Sequence, residues 1–138
     1  MLARKLADNS AAVHNHSAIA HRQQLGQFRR DHQNCQSLLR QLADRAHLHG
    51  LKAIGCTLTP YEGAAYYSEA GEPVREAVNQ WIRTSGVFDA VFDFDKAVRD
   101  PSQEKQIRSD FNIRDHLHPN DAGYKAMADS VDLKIFSN

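Results

Sequence analysis

The chain has 138 residues, 41% of them hydrophobic, which is enough for the core of one domain and argues against intrinsic disorder. Its 17 Lys and Arg residues balance its 17 Asp and Glu residues, so no net charge attracts it to nucleic acid or to an anionic membrane surface. No apolar run approaches the roughly 20 residues that span a bilayer, and the first residues lack the apolar segment of a secretory signal. We therefore expect a single domain over residues 1–138 whose function resides in a local site.

The first half of the chain predicts helices and one parallel strand. Residues 2–7 have the apolar spacing of a short helix, and residues 11–15 form a candidate strand of weakly strand-forming residues. A longer helix ends before Gly50, which can adopt the left-handed conformation that follows many helices. Its apolar stripe comprises Leu38, Leu39, Leu42, Ala43 and Ala46. Leu51 to Cys56 then predicts a parallel strand that opens into a loop from Thr57 to Gly63.

The second half predicts another helix and another strand. From Glu72 to Thr84 apolar residues recur at helical spacing, and Gly86 follows as a stop. The residues expected to face inward are Val74, Ala77, Val78, Trp81 and Ile82. Val87 to Phe94 alternates between apolar and polar residues, as a strand does. Residues 96–114 are polar and irregular, which indicates a loop.

The segment from Asp115 to Tyr124 combines a carboxylate, an imidazole and a helix start at fixed short spacing. An Asp three residues before a His can accept a hydrogen bond from Nδ1–H and leave Nε2 free as a general base. Asp115 and His118 are therefore the candidate catalytic residues. Asn120 or Asp121 can cap the helix that follows. From spacing alone, a capped C-terminal helix preceded by polar residues accounts for the segment equally well.

The segment over residues 115–128 reads Asp-x-Leu-His-Pro-Asn-Asp-Ala-Gly-Tyr-x-x-Met-Ala and resembles the last block of the SGNH/GDSL serine hydrolases. Residues 50–63, 81–86 and 88–101 resemble further family segments in the same order. The resemblance implies an α/β, flavodoxin-like, three-layer fold with a parallel sheet. It also implies hydrolysis of small carboxylic esters without a cofactor or metal, with His118 as general base and Asp115 as its orienting carboxylate.

The same resemblance implies that parts of the family's site are absent. No serine lies in a Gly-Asp-Ser or Gly-x-Ser-x-Gly context, and the family's Ser block would precede Leu2. The family's Asn block is also absent, because residues 32–35 run directly into a helix. Ala20 stands where the family has a Gly that helps to form the oxyanion hole. We therefore expect a truncated domain that keeps the Asp–His half of the triad and is inactive as given.

Other classes of function stay open. The chain could be a non-catalytic remnant, or a binding module that uses the loop from Thr57 to Gly63. Less favoured is a His-rich metal-binding protein, since solvent-facing histidines account better for the His-x-His pairs and no third ligand is indicated. On a helix, residues two apart also point about 200° away from each other. The pairs are His14/His16, His47/His49 and His116/His118.

Three further side chains have an ordinary structural interpretation. Cys56 is expected to be a buried small hydrophobe at a strand end rather than a nucleophile. Asp93 and Asp95 are expected to cap the turn after their strand rather than to act as a glycosidase-like carboxylate pair.

The resemblance also predicts an incomplete sheet. Residues 11–15, Leu51 to Cys56 and Val87 to Phe94 would correspond to the second, fourth and fifth strands of a flavodoxin-like sheet, so that two central strands are missing. The remaining strands either rearrange into one reduced sheet or leave the first of them detached. The strand from Leu51 to Cys56 would then expose an unpaired apolar edge, and we expect self-association through that edge.

Overall fold

The computed structural model describes residues 35–137. The chain falls into two compact units, Met1–Asp44 and Arg45–Asn138. The helix and strand predicted at residues 2–7 and 11–15, together with Ala20 and the pair His14/His16, lie outside the described residues. The prediction of a single domain stays a prediction.

A helix, α1, covers residues 35–48 and confirms the prediction of a helix before Gly50. Gly50 has a φ of +70°, and the hydrogen bond from Leu51 N to Ala46 O closes the end of the helix. This is the left-handed glycine termination that the sequence indicates. The leucines of the apolar stripe are exposed: Leu38 at 57%, Leu39 at 42% and Leu42 at 55%.

Strands β1 (Ile54–Cys56) and β2 (Ala90–Phe92) form a parallel two-stranded sheet, with Gly55 opposite Val91. Helix α2 (Glu72–Thr84) connects them, so this part of the chain is a β-α-β crossover. The α/β class and the parallel pairing are thereby confirmed. Gly55 is required for packing, because a methyl group there would lie 2.6 Å from the Phe88 ring.

Both strands are shorter than predicted, and side-chain carboxylates explain why. At the start of β1, the Asp89 carboxylate accepts the N–H of Ala53 at 2.7 Å, a group that would otherwise pair with a strand. At the end of β2, the Asp93 carboxylate accepts the N–H of Lys96 and begins helix α3 (Phe94–Val98). The prediction of a strand through Phe94 was therefore wrong.

Helix α2 has the predicted bounds but buries a different face. Ile82 is buried and Val74, Val78 and Trp81 are half-buried, whereas Ala77 is exposed. The most buried residues of the helix, apart from Ile82, are polar: Glu72, Arg75 and Asn79. They share one helical face with Ile82, since they recur every three or four residues.

The described residues that follow β2 form short elements. Val98 and Ile107 are buried, at 0% and 2% exposure. Val98 ends α3, so the loop predicted at residues 96–114 begins later than expected, and Ile107 is buried within it. Helix α4 (Asp121–Asp129) and a 3₁₀ helix (Leu133–Phe136) complete the chain order. Over residues 35–137, every helix falls short of the length and apolar character needed to cross a membrane.

Candidate active site

The predicted catalytic segment is the tip of a narrow loop whose two arms are held together by backbone hydrogen bonds. Asn112 and Pro119 form an isolated antiparallel bridge. The N–H of Ile113 donates to His118 O at 3.1 Å, and the N–H of Asn120 donates to Phe111 O at 2.9 Å. The tip, residues 114–117, is therefore short and tightly bounded.

The tip adopts an unusual backbone conformation. Arg114 and His116, which flank Asp115, have φ values of +77° and +59°. Residues other than glycine rarely occupy this region, although His is among those that tolerate it. The Asn112 side chain accepts the N–H of Arg114 at 2.7 Å. One oxygen of Asp115 accepts the N–H groups of Leu117 and His118, at 3.0 and 2.9 Å.

The other oxygen of Asp115 reaches the imidazole. Asp115 Oδ2 and His118 Nδ1 are 2.5 Å apart, which is the hydrogen bond that the sequence spacing predicts. The His118 side chain, with the N–H groups of His118 and Leu117, lowers the pKa of Asp115 to about 2. The side chain of His118 is 61% exposed, and none of the described residues is hydrogen-bonded to its Nε2. A proton on Nδ1 would thus leave Nε2 facing solvent as an acceptor.

Helix α4 fixes the far arm of the loop. Of the two predicted caps, Asn120 is the N-cap: Asn120 Oδ1 accepts the N–H of Gly123 at 3.0 Å. Its amide also donates to the carbonyls of Asp110 and Asn112, so one side chain joins the helix start to the near arm. Gly123 allows the close approach, because a methyl group there would collide with the carbonyl oxygen of Phe111.

The loop after β1 reaches the same segment through Gly63. Gly63 has a φ of +97°, and a methyl group on it would lie 2.7 Å from Cγ of the His116 ring. An open cleft of about 470 Å³ borders the other side of the segment, lined by Ile113, Pro119, Asn120, Asp121 and Ala122. The loop that follows β1 thus meets the segment at His116, next to Asp115, and the cleft is lined by Pro119, next to His118.

A partly buried ionic network, which the sequence patterns did not predict, holds the ends of β1 and β2. Arg75 donates to both oxygens of Glu72 and, at 2.6 Å, to Asp95. Arg83 donates to Asp93 and Asp95, each at 2.6 Å. Burial opposes the charge of Arg75, but its bonds to Glu72 and Asp95 outweigh this effect and raise its pKa. Arg83 likewise lowers the pKa of Asp93 to about 2.

Hydrogen bonds from neighbouring polar residues also fix Thr57 and Leu58, at the start of the loop after β1. Asn79 accepts the N–H of Leu58 at 2.7 Å and donates to its carbonyl at 2.8 Å. The Thr57 hydroxyl donates to Asp93 and accepts the N–H of Asp95. In the sequence, the only sign of Glu72, Arg75 and Asn79 as buried residues is that they recur at helical spacing with Ile82. A search for apolar residues at that spacing does not detect them, because they are polar.

Of the two carboxylates expected to cap the turn after β2, Asp95 does not do so: it lies within α3 and pairs with Arg75 and Arg83. Asp93 caps α3, which confirms its predicted role, and both carboxylates are occupied by Arg83. A cleft of about 450 Å³ is bordered by Arg75, Arg83 and Asp95. The polar atoms of these three residues pair with one another, and the cleft is also lined by Glu76, Gln80, Arg99 and Glu104.

Cys56 differs from its predicted burial, whereas the pair His14/His16 lies outside the described residues and stays untested. Cys56 is exposed, so the prediction of a buried cysteine was wrong, although partial burial of its thiol still raises its pKa and disfavours the thiolate. His47 Nε2 lies 2.9 Å from Asp89 Oδ2. Within residues 35–137, no group of three or more His, Cys, Asp or Glu side chains is arranged to hold a metal ion.

Comparison with known proteins adds one finding. A family model described as GDSL-like lipase/acylhydrolase matches residues 17–131, which include the loop after β1, the ionic network and the Asp115–His118 pair. No curated protein sequence matches the chain.

Proposed function

Because the chain belongs to the GDSL-like lipase/acylhydrolase family, we propose that Asp115 and His118 are the acid–base pair of a carboxylic-ester hydrolase site. The observation that carries the proposal is the 2.5 Å separation between Asp115 Oδ2 and His118 Nδ1, with the rest of the imidazole exposed. The substrate is a small ester, and the open cleft beside Pro119 offers space for it. The reaction calls for no cofactor.

In this role His118 accepts a proton from the attacking hydroxyl through Nε2 and later returns it to the leaving alcohol. Asp115 holds the ring by Nδ1 and stabilises the imidazolium that forms. Its pKa of about 2 keeps it ionised throughout the neutral range, as this role requires.

The proposed site is incomplete within the 138 residues. No serine lies in a nucleophile motif, and in residues 35–137 no serine hydroxyl is hydrogen-bonded to His118. The resemblance also implies that oxyanion-hole donors are absent, and each such donor is worth about 10²–10³ in rate. We propose that the chain as given does not turn over esters, and that it presents an acid–base pair without its nucleophile.

The acid–base pair is tested by imidazole ¹⁵N NMR, which distinguishes the tautomers of His118. We expect the Nδ1–H tautomer at neutral pH, because the carboxylate accepts that proton. Asp115→Ala should abolish this preference, whereas Asp129→Ala, which removes a carboxylate 65% exposed in an ion pair with Lys125, should not. An Nε2–H tautomer in the unmodified chain would overturn the proposed role of His118.

The missing nucleophile is tested separately with p-nitrophenyl acetate. The chain and its His118→Ala variant should hydrolyse this ester no faster than an equal concentration of free imidazole. Saturable turnover that is lost in His118→Ala would contradict the proposal of inactivity and would reveal a nucleophile within the 138 residues.

A further inference from the structure

The ring of His116, next to Asp115, lies against Gly63 of the loop after β1. Gly63 faces the ring so closely that a methyl group would lie 2.7 Å from Cγ, 3.0 Å from Nδ1 and 3.1 Å from Cδ2. These distances are all shorter than ordinary van der Waals contact, so only glycine leaves the ring in its present position. A residue of the loop after β1 thus determines where a residue of the catalytic segment can lie.

The polar atoms of His116 do not explain this placement. Its Nδ1 is buried and has no hydrogen-bond partner among the described residues. A buried nitrogen without a partner costs free energy, so the ring contributes through its shape and packing.

The backbone of His116 links this contact to the catalytic pair. His116 has a φ of +59°, and Arg114 on the other side of Asp115 has a φ of +77°. A strained backbone of this kind persists only where its surroundings over-determine it. If the ring moved away from Gly63, residues 114–116 could relax, and Asp115 would turn away from the N–H groups of Leu117 and His118.

We infer that Gly63 and His116 are positioning residues that hold Asp115 in the orientation in which it meets His118. Neither residue exchanges a proton with the reacting groups. Gly63 supplies the space, the His116 ring fills it, and the resulting backbone conformation directs both oxygens of Asp115 towards residues 117 and 118. The inference rests on the proposed function for its relevance to catalysis. The orientation of Asp115 towards His118 can nevertheless be measured without an activity assay.

The experiment compares Gly63→Ala with Gly86→Ala by amide hydrogen exchange. Gly86 also has a left-handed φ, +66°, but a methyl group there would meet nothing within 4 Å. Both variants therefore place alanine at a positive φ, and only Gly63→Ala pushes on His116. We expect about tenfold faster exchange of the Leu117 and His118 amides, and loss of the His118 Nδ1–H resonance, in Gly63→Ala alone.

The amide of Thr57, which donates to Phe92 O between the strand ends, reports whether the fold is intact. His116→Asn provides a second route that does not crowd the loop, because Asn tolerates the left-handed region but lacks the ring. It should produce the same local change with unchanged Thr57 exchange. If exchange at Leu117 and His118 is unchanged in His116→Asn, or equally fast in Gly63→Ala and Gly86→Ala, the positioning role is overturned. Neither result would bear on the tautomer of His118 in the unmodified chain, which tests the proposed function independently.

Discussion

At the scale of single residues, the candidate site depends on one carboxylate that accepts three hydrogen bonds. Asp115 receives the N–H groups of Leu117 and His118 on one oxygen and faces His118 Nδ1 with the other. A carboxylate in such a position is stabilised in its charged form. Losing that charge should loosen the loop tip and free the imidazole at the same time.

The stability of the folded chain should depend on pH through the ionisation of Asp115. The pKa of Asp115 falls from 3.8 to about 2 on folding, so its contribution to stability is present above about 3.8 and is lost as the pH falls towards about 2. A ¹³C NMR titration of the Asp115 carboxyl should give a midpoint near 2. In His118→Ala the midpoint should rise towards 3.8, since the largest contribution to the shift is removed.

Lys125→Ala provides the control, because Lys125 pairs with Asp129 on the exposed side of α4 and should leave the titration of Asp115 unchanged. A midpoint near 3.8 in the unmodified chain would show that the pair does not form in solution.

The pair itself was predictable because its partners are three residues apart, a distance that a single turn can close. The same holds for Asn120 and for Asp93, which cap the elements directly after them. The contact between Gly63 and His116 has no such local signal. It depends on how two loops from distant parts of the chain approach each other.

At the scale of secondary-structure elements, α2 is attached to the strand ends by charges instead of by a purely apolar face. Asp95, at 2% exposure, accepts hydrogen bonds from both Arg75 and Arg83. Arg75 is itself buried and also donates to the carbonyl of Leu58. Removal of one member of a buried ionic group leaves an uncompensated charge, which is far more costly than loss of an exposed pair.

Asp95→Ala should therefore lower the free energy of unfolding by about 3–5 kcal/mol. Asp129→Ala makes the same change in an ion pair with Lys125 that is 2.6 Å long but largely exposed, and should cost only about 0–1 kcal/mol. Urea denaturation followed by the fluorescence of Trp81, the single tryptophan, measures both, since Trp81 lies in α2 against Phe88. Equal losses in the two variants would mean that the network is hydrated and weak in solution.

At the scale of the whole molecule, the sheet of the described residues has only two strands. Within residues 35–137, β1 pairs with β2 alone, so its other edge has no strand partner there. Leu51, which leads into β1, is 62% exposed. An unpaired edge next to an exposed apolar side chain can pair with another copy of the chain.

We therefore expect the chain to self-associate through β1. Sedimentation velocity should show an average mass that rises with protein concentration. Leu51→Lys should weaken the association about tenfold, because it removes apolar burial worth ~1.4 kcal/mol and charges the approach to the edge. Leu58→Lys is the matched control: Leu58 is 49% exposed but follows the strand end. A single mass at all concentrations would contradict the expectation.

The sequence alone determined the features that depend on neighbours within one or two turns: the bounds of α2, the glycine end of α1, the Asn120 cap and the Asp115–His118 hydrogen bond. In these cases side-chain spacing and backbone preference act over a few residues, so the pattern and the structure have the same cause.

Only the tertiary structure decided where β1 begins, the polar buried face of α2 and the contact of Gly63 with His116. Arg75 meets Asp95 from 20 residues away, and Thr57 meets Asp93 from 36. A buried charge is tolerated only where a partner arrives from elsewhere in the chain, and no local pattern of hydrophobicity records which partner that will be.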